Sequence, residues 1–129
     1  MKMMKTEKRR ILVVDDRESD TRLLKLQLEV SGLFEVREEN DPQAAVFTAE
    51  QFKPDLILLD LVMPTMDGRQ LAAYLEASKL LKTVPIVFLT ARVTKEEVDA
   101  VGGRIGGFPF LAKPVAVAEL ISCIQQHLR

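Results

Sequence analysis

Short runs of apolar residues alternate along the chain with segments in which apolar side chains recur every three or four positions. The runs predict five β-strands, and three of them are continuously apolar, as expected for strands buried on both faces of a parallel sheet. The predicted strands are Arg10–Val14, Phe34–Glu38, Leu56–Leu59, Val84–Leu89 and Phe108–Ala112.

The segments between the strands have the spacing of amphipathic helices. Start signals mark two of them: Asp41 before the second, and a capping box from Thr94 to Glu97 in the fourth. Strand–helix alternation of this kind predicts a flavodoxin-like doubly wound α/β fold, (βα)5, with a five-stranded parallel sheet of order 2-1-3-4-5. The predicted helices run over about Asp20–Ser31, Pro42–Gln51, Arg69–Lys79, from Thr94 onward, and from Val115 to the end.

Composition narrows the class of protein. The 129 residues suffice for one domain, and the formal net charge of −1 gives no general attraction to nucleic acid or to anionic lipid. The basic start MKMMKTEKRR has no apolar signal region and no long apolar stretch follows, so we predict a cytoplasmic protein without membrane insertion. Residues 1–9 are interpreted as a basic tail and residues 10–129 as the domain. The single cysteine, Cys123, cannot form an internal disulfide and is expected in the core.

Acidic residues follow two of the predicted strands. Asp15 and Asp16 come after the first strand, and Asp60 comes after the third. Because neighbouring parallel strands end at the same edge of a sheet, we expect the three carboxylates to meet at the edge where such folds bind ligands. One aspartate after a strand is usually a helix cap or the start of a turn. Three converging carboxylates, however, repel one another unless a cation or protons intervene.

Two further polar residues end strands at this edge, Thr90 and Lys113. Mg²⁺ takes oxygen ligands and is commonly held by one or two carboxylates together with phosphate oxygens. The Lys113 ammonium suits a phosphoryl oxygen, and Thr90 supplies a hydroxyl donor. The sequence contains no Walker A or GxGxxG loop for a nucleotide, so the phosphoryl acceptor is expected to be water or a side chain, and a carboxylate can serve.

Several separated motifs together resemble the receiver domain of bacterial two-component response regulators. They are ILVVDD, LLDLVMPTMDG, a Thr-Ala pair after an apolar strand, and FLAKP, and the resemblance extends from about Arg10 to His127. It implies that Asp60 is the phosphorylated residue. It also implies that Asp15 and Asp16 bind Mg²⁺ together with Asp60.

The same resemblance implies roles for other residues. Thr90 and Lys113 would contact the phosphoryl group, Phe110 would be the switch aromatic, and the backbone carbonyl of Val62 would complete the metal site. The bond between Lys113 and Pro114 is often cis in this family. The side chains of Val62 and of residue 92, an arginine, would flank the path of a hydrolytic water, and neither can orient it, so we expect a slowly decaying phosphoprotein.

The implied mechanism is transfer of a phosphoryl group to Asp60 from a sensor histidine kinase, a phosphotransfer protein or a small acyl phosphate. Thr90 would then shift and allow Phe110 to turn inward, which couples the site to the face formed by the fourth helix, fifth strand and fifth helix. A downstream protein partner would bind that face. We expect a switch rather than an enzyme with a separate substrate, and a stand-alone receiver rather than a fragment of a larger regulator.

Three other functions are possible on this fold. A phosphatase similar to the haloacid dehalogenase superfamily needs a second acid two residues after its nucleophile, where this chain has Arg17 or Val62. A nucleotide- or flavin-binding module would be repelled by the acidic edge. A pseudo-receiver that acts without phosphorylation is disfavoured by the complete set of site residues. One departure from the family pattern is the segment Gly102–Gly107, which should shorten the fourth helix. Phe108 after it is expected to pack locally, and the alternative is a modified surface for docking a partner.

Overall fold

A computed structural model of the protein describes residues 7–91, 104–105 and 107–129. Within these ranges six strands form one sheet, flanked by four α-helices and one short 3-10 helix, Pro42–Ala44. The strands are β1 (Arg9–Val14), β2 (Phe34–Glu39), β3 (Leu56–Leu59), β4 (Ile86–Thr90), β5 (Arg104–Ile105) and β6 (Phe108–Ala112). The helices are α1 (Glu18–Val30), α2 (Ala45–Phe52), α3 (Gly68–Ala77) and α4 (Val117–His127).

The strand order of the sheet is β2-β1-β3-β4-β6-β5. The five predicted strands are β1 to β4 and β6, all parallel and in the predicted order 2-1-3-4-5, so the doubly wound fold is confirmed. The short strand β5 is additional and pairs antiparallel with β6, and Gly107, directly before β6, has a φ of 87°. The sequence did not predict it because two residues between glycines carry no strand pattern.

The core lies in two layers, one on each face of the sheet. Along β1 and β3 successive side chains point to opposite faces, so one strand supplies both layers. Leu12 and Ile57 pack in the layer with α2 and α3, whereas Ile11 and Leu56 pack in the layer with α1 and α4. This double burial explains why the predicted central strands are apolar at every position.

The ends of the helices differ from the prediction by a few residues. The first helix begins at Glu18 and the last at Val117. The predicted second helix begins as the 3-10 helix. The Asp41 side chain caps it by accepting a hydrogen bond from Gln43 N at 3.0 Å. The predicted fourth helix, with its capping box from Thr94, lies outside the described residues. None of the described helices is both long and apolar enough to span a bilayer.

Cys123 occupies the position expected for a core cysteine. Its side chain is half-buried against the layer that contains Leu120 and Ile124. Burial, with a further contribution from the charge of Glu119, raises the pKa of the thiol, which disfavours the reactive thiolate. The residue therefore acts as a small apolar side chain of α4.

Candidate functional site

The three predicted acids meet at the carboxyl edge of the sheet. β1 and β3 are adjacent, with Val14 opposite Leu59, and the backbone N–H of Asp60 continues the pairing by donating to the Val14 carbonyl at 2.9 Å. Asp15 and Asp60 are buried, at 2% and 8% exposure, whereas Asp16 is exposed. One carboxylate oxygen from each of the three lies within 4.8 Å of the others. The fold therefore brings together the acids that the sequence indicated.

The electrostatic environment opposes ionisation of Asp60. Burial and then the charge of Asp15 raise the pKa of the Asp60 carboxyl from its ordinary 3.8 to about 6, with a smaller contribution from Asp16. The Lys113 ammonium and a hydrogen bond from the Val62 backbone act in the opposite direction. At neutral pH the Asp60 carboxylate is therefore charged in an environment that penalises the charge. A bound cation would reduce this penalty.

Lys113 lies at the end of β6, where its backbone N–H donates to the Thr90 carbonyl at 2.8 Å, and the following bond to Pro114 is cis. Its ammonium nitrogen is 2.5 Å from Asp15 Oδ2 and 3.2 Å from Asp20 Oδ2. Burial by itself lowers the pKa of Lys113, but the hydrogen bond and charge of Asp15, with Asp60 and Asp20, raise it above its ordinary 10.5. The ammonium therefore stays charged beside the acidic cluster.

Thr90 and Phe110 lie on two paired strands, where Thr90 is opposite Ala112 and Phe110 is opposite Phe88. Thr90 ends β4 with 1% exposure, and Phe110 of β6 is 2% exposed. The Phe110 ring is 6.3 Å from that of Phe88, and Phe108 meets the same Phe88 ring edge-on at 5.4 Å. The predicted local packing of Phe108 is therefore observed. The predicted switch aromatic is buried in the described structure.

A glycine allows the loop after β3 to fold tightly beneath Asp60. Gly68, the first residue of α3, donates its N–H to the Leu61 carbonyl at 2.8 Å, and Asp67 caps the helix by accepting from Arg69 N at 2.8 Å. A Cβ atom on Gly68 would lie 2.4 Å from the Asp60 carbonyl oxygen. Val62, predicted to supply a carbonyl ligand, forms a backbone bridge with Asp67 and is 42% exposed.

A polar network that the sequence pattern did not indicate supports the backbone of Asp15. The Asn40 amide donates to the Asp15 carbonyl at 2.8 Å and to Thr21 Oγ1 at 2.9 Å. Thr21 is fully buried in α1 and contacts Glu38 Oε1 at 2.7 Å. The signal for Thr21 was its place three residues before the buried Leu24, where the helical pattern otherwise puts apolar side chains.

The chemistry of the cluster fits a hard divalent cation. Carboxylate oxygens are the ligands that Mg²⁺ prefers, and Asp15, Asp16 and Asp60 present them from two neighbouring strand ends. Among the described ion pairs at this edge, only those of Lys113 bring positive charge to the cluster, and they offset part of its negative charge. The contribution of the Val62 carbonyl stays a prediction. The residue at position 92 and most of the glycine segment lie outside the described residues.

Comparisons with known proteins agree with this geometry. The family model described as the response regulator receiver domain matches residues 11–125. The chain is 39% identical over 122 residues to the alkaline phosphatase synthesis transcriptional regulatory protein PhoP of Bacillus subtilis, with 94% of this chain and 49% of that protein covered. It is 34% identical to the phosphate regulon transcriptional regulatory protein PhoB of Pseudomonas aeruginosa, with 92% and 51% covered.

Other relatives have a length closer to that of this chain. The polar-differentiation response regulator DivK of Brucella anthropi is 29% identical, with 92% of this chain and 94% of that protein covered. The structure of the chemotaxis protein CheY4 of Vibrio cholerae superposes with a TM-score of 0.80 at 27% identity, covering 95% of this chain and all of that one. The chain spans about half the length of the first two curated relatives. Fold, site geometry and family match lead to one conclusion: the chain belongs to the response regulator receiver domain family.

Proposed function

We propose that this receiver accepts a phosphoryl group on the Asp60 carboxylate, with Mg²⁺ held by Asp15, Asp16 and Asp60. The donor is the phosphohistidine of a sensor histidine kinase or phosphotransfer protein. The observation that carries the proposal is the convergence of three carboxylates and the Lys113 ammonium at one sheet edge. The three carboxylates carry more negative charge than the Lys113 ammonium can offset, and a divalent cation would balance the excess.

The proposed step forms one bond and breaks another. An Asp60 carboxylate oxygen attacks the phosphorus atom, and the P–N bond to the donor imidazole breaks; with an acyl phosphate the P–O bond breaks instead. The nucleophile needs no base, because the Asp60 carboxyl, with a pKa of about 6, is ionised at neutral pH. Bound Mg²⁺ supplies positive charge for the transferring oxygens. Lys113 adds a further positive charge, and positioning of these groups supplies most of the rate.

We propose that the signal leaves through Thr90 and Phe110 to a protein partner. Thr90 and Phe110 lie on adjacent strands, two register positions apart, because Phe88 is opposite Phe110 and Thr90 is opposite Ala112. A movement of the Thr90 hydroxyl toward a phosphoryl group would therefore change the packing of the aromatic cluster around Phe88. The predicted output face includes β6 and α4, together with the fourth helix predicted from the sequence, whose residues lie outside the described ranges. We further propose that this receiver acts in the cytoplasm, where such donors are found.

The first prediction tests the acceptor. Incubation with acetyl phosphate and Mg²⁺ should add ~80 Da to the wild-type protein. Asp60→Asn should gain nothing, and EDTA should abolish the gain. Asp41→Asn, which removes a carboxylate outside the cluster, should be phosphorylated like the wild type. Intact-mass measurement distinguishes these outcomes, and an undiminished gain in Asp60→Asn would rule out Asp60 as the acceptor.

A further inference from the structure

Lys113 is shared between two acids that belong to different elements. Its ammonium contacts Asp15, which follows β1, at 2.5 Å, and Asp20, on the first turn of α1, at 3.2 Å. Among the ion pairs of the described residues, Lys113 has no contact with Asp60 within 4.0 Å. The ammonium is therefore paired with Asp15 and Asp20 and not with the proposed phosphoryl acceptor.

The Asp15 carboxylate has both oxygens engaged before any cation binds. Oδ1 accepts from the Arg17 backbone N–H at 3.0 Å, and Oδ2 accepts from Lys113. A divalent cation that takes Asp15 as a ligand therefore competes with the Lys113 ammonium for electron density on this carboxylate. When the cation weakens the Lys113–Asp15 contact, Asp20 remains as an acceptor for the ammonium.

The position of Asp20 suits it to hold the ammonium without enclosing it. Asp20 and Lys113 lie on the wall of a groove of about 360 Å³, whose apolar walls include Leu24 and Pro114. The Asp20 side chain is 35% exposed, so its attraction for Lys113 is moderated by solvent.

We propose that Asp20 is a positioning residue that holds Lys113 when a cation takes up Asp15, and so sets both metal affinity and the availability of the ammonium for phosphoryl transfer. This inference rests on the proposed function. Asp20 eases cation binding, because it gives Lys113 a partner other than Asp15. It slows transfer, because the ammonium must leave Asp20 to reach the phosphoryl oxygens.

The test compares three variants on the whole chain. Asp20→Asn removes the charge that holds Lys113. Glu18→Gln is the matched control, because it removes a carboxylate from the same helix turn, where Glu18 lies 3.9 Å from Arg22 and has no contact with Lys113. Asp20→Glu keeps the charge and should behave like the wild type. Mg²⁺ binding is measured by calorimetry, and phosphorylation by acetyl phosphate is measured at saturating Mg²⁺.

The two quantities should change in opposite senses in Asp20→Asn. We expect the Mg²⁺ dissociation constant to rise about two- to fivefold, because Lys113 then rests on Asp15 alone. We expect the phosphorylation rate at saturating Mg²⁺ to rise by a similar factor, because nothing on α1 then retains the ammonium. Simple loss of structure would weaken binding and slow the reaction together.

Three results would overturn the inference: no change in either quantity, equal changes in Asp20→Asn and Glu18→Gln, or a slower reaction at saturating Mg²⁺ in Asp20→Asn. Failure of the proposed function looks different. In that case the wild type itself would gain no phosphoryl group, while the calorimetric comparison of the variants would still report on the Lys113–Asp20 contact.

Discussion

Asp60 is ionised at an energetic cost to the folded protein. Its pKa lies near 6 in the fold, mainly because of burial and then because of Asp15, against 3.8 ordinarily. Between pH 4 and 6 the folded state therefore binds more protons than the unfolded state, and stability falls as the pH rises through this range. Above pH 6 the ionised Asp60 lowers the free energy of unfolding by about 3 kcal/mol.

The second prediction follows from this fall in stability with rising pH. In EDTA, Asp60→Asn should be more stable than the wild type by about 1–3 kcal/mol at pH 8, and the difference should disappear near pH 4. Urea denaturation at both pH values measures it. Glu76→Gln, which removes an exposed carboxylate of α3, should show no such dependence. A difference of equal size at both pH values would show that the buried charge is not its cause.

The third prediction concerns the lifetime of the phosphorylated state. Val62 is 42% exposed, beside the Asp60 acceptor, and has no group with which to orient a hydrolytic water. Val62→Asn should therefore lose its phosphoryl group faster, by about tenfold or more, because positioning of the water improves. Decay is followed by mass after removal of the donor. Thr65→Asn, in the same loop, is the control, and equal decay in wild type and Val62→Asn would contradict the prediction.

At the scale of the element, the junction of β3 and α3 depends on close contact between backbones. Gly68 leaves room for the Asp60 and Leu61 backbones, since an added Cβ would lie 2.4 Å from one and 2.8 Å from the other. Both neighbours are main-chain atoms and cannot rotate aside. Any side chain at this position must therefore displace the loop that carries the acceptor.

The fourth prediction is that Gly68→Ala destabilises the protein by about 1–3 kcal/mol and also weakens Mg²⁺ binding. Gly32→Ala is the matched control. Gly32 has a φ of +79° and no atom within 4 Å of an added Cβ, so the substitution strains the backbone far from the site, at about 1–2 kcal/mol. It should leave Mg²⁺ affinity unchanged. Calorimetry measures the Mg²⁺ affinity of both variants. An unaltered Mg²⁺ affinity in Gly68→Ala would show that the loop adapts to the added side chain.

The elements that the sequence predicted well are those whose pattern reports burial. The central strands were placed to within two residues because every position in β1 from Ile11 to Val14 and in β3 is buried, and the sequence is accordingly apolar. The ends of the predicted strands also identified the acids and Lys113 as candidate site residues. Asp20 and Asn40 gave no such signal, because their roles depend on where a side chain reaches across the fold, which local pattern does not encode.

At the scale of the whole molecule, the fifth prediction concerns cation binding. A cation that binds only the folded acidic cluster should stabilise the unmodified protein. At a Mg²⁺ concentration ~100-fold above the dissociation constant, the free energy of unfolding should rise by about 2.7 kcal/mol. Urea denaturation in MgCl₂, against NaCl of equal ionic strength, measures the gain. Asp15→Asn should lose most of it, and an equal gain in that variant would exclude the cluster as the site.

The short strand β5 has a consequence for behaviour at high concentration. Among the described residues it forms one edge of the sheet with two residues, one of them the exposed Arg104. The opposite edge, β2, alternates buried positions with the exposed Glu35 and Arg37. Short or charged edges are poor templates for strand addition from another copy. Self-association of the concentrated protein should therefore proceed through its apolar helix surface, such as Leu23 and Leu26 of α1, and give reversible clusters rather than fibrils.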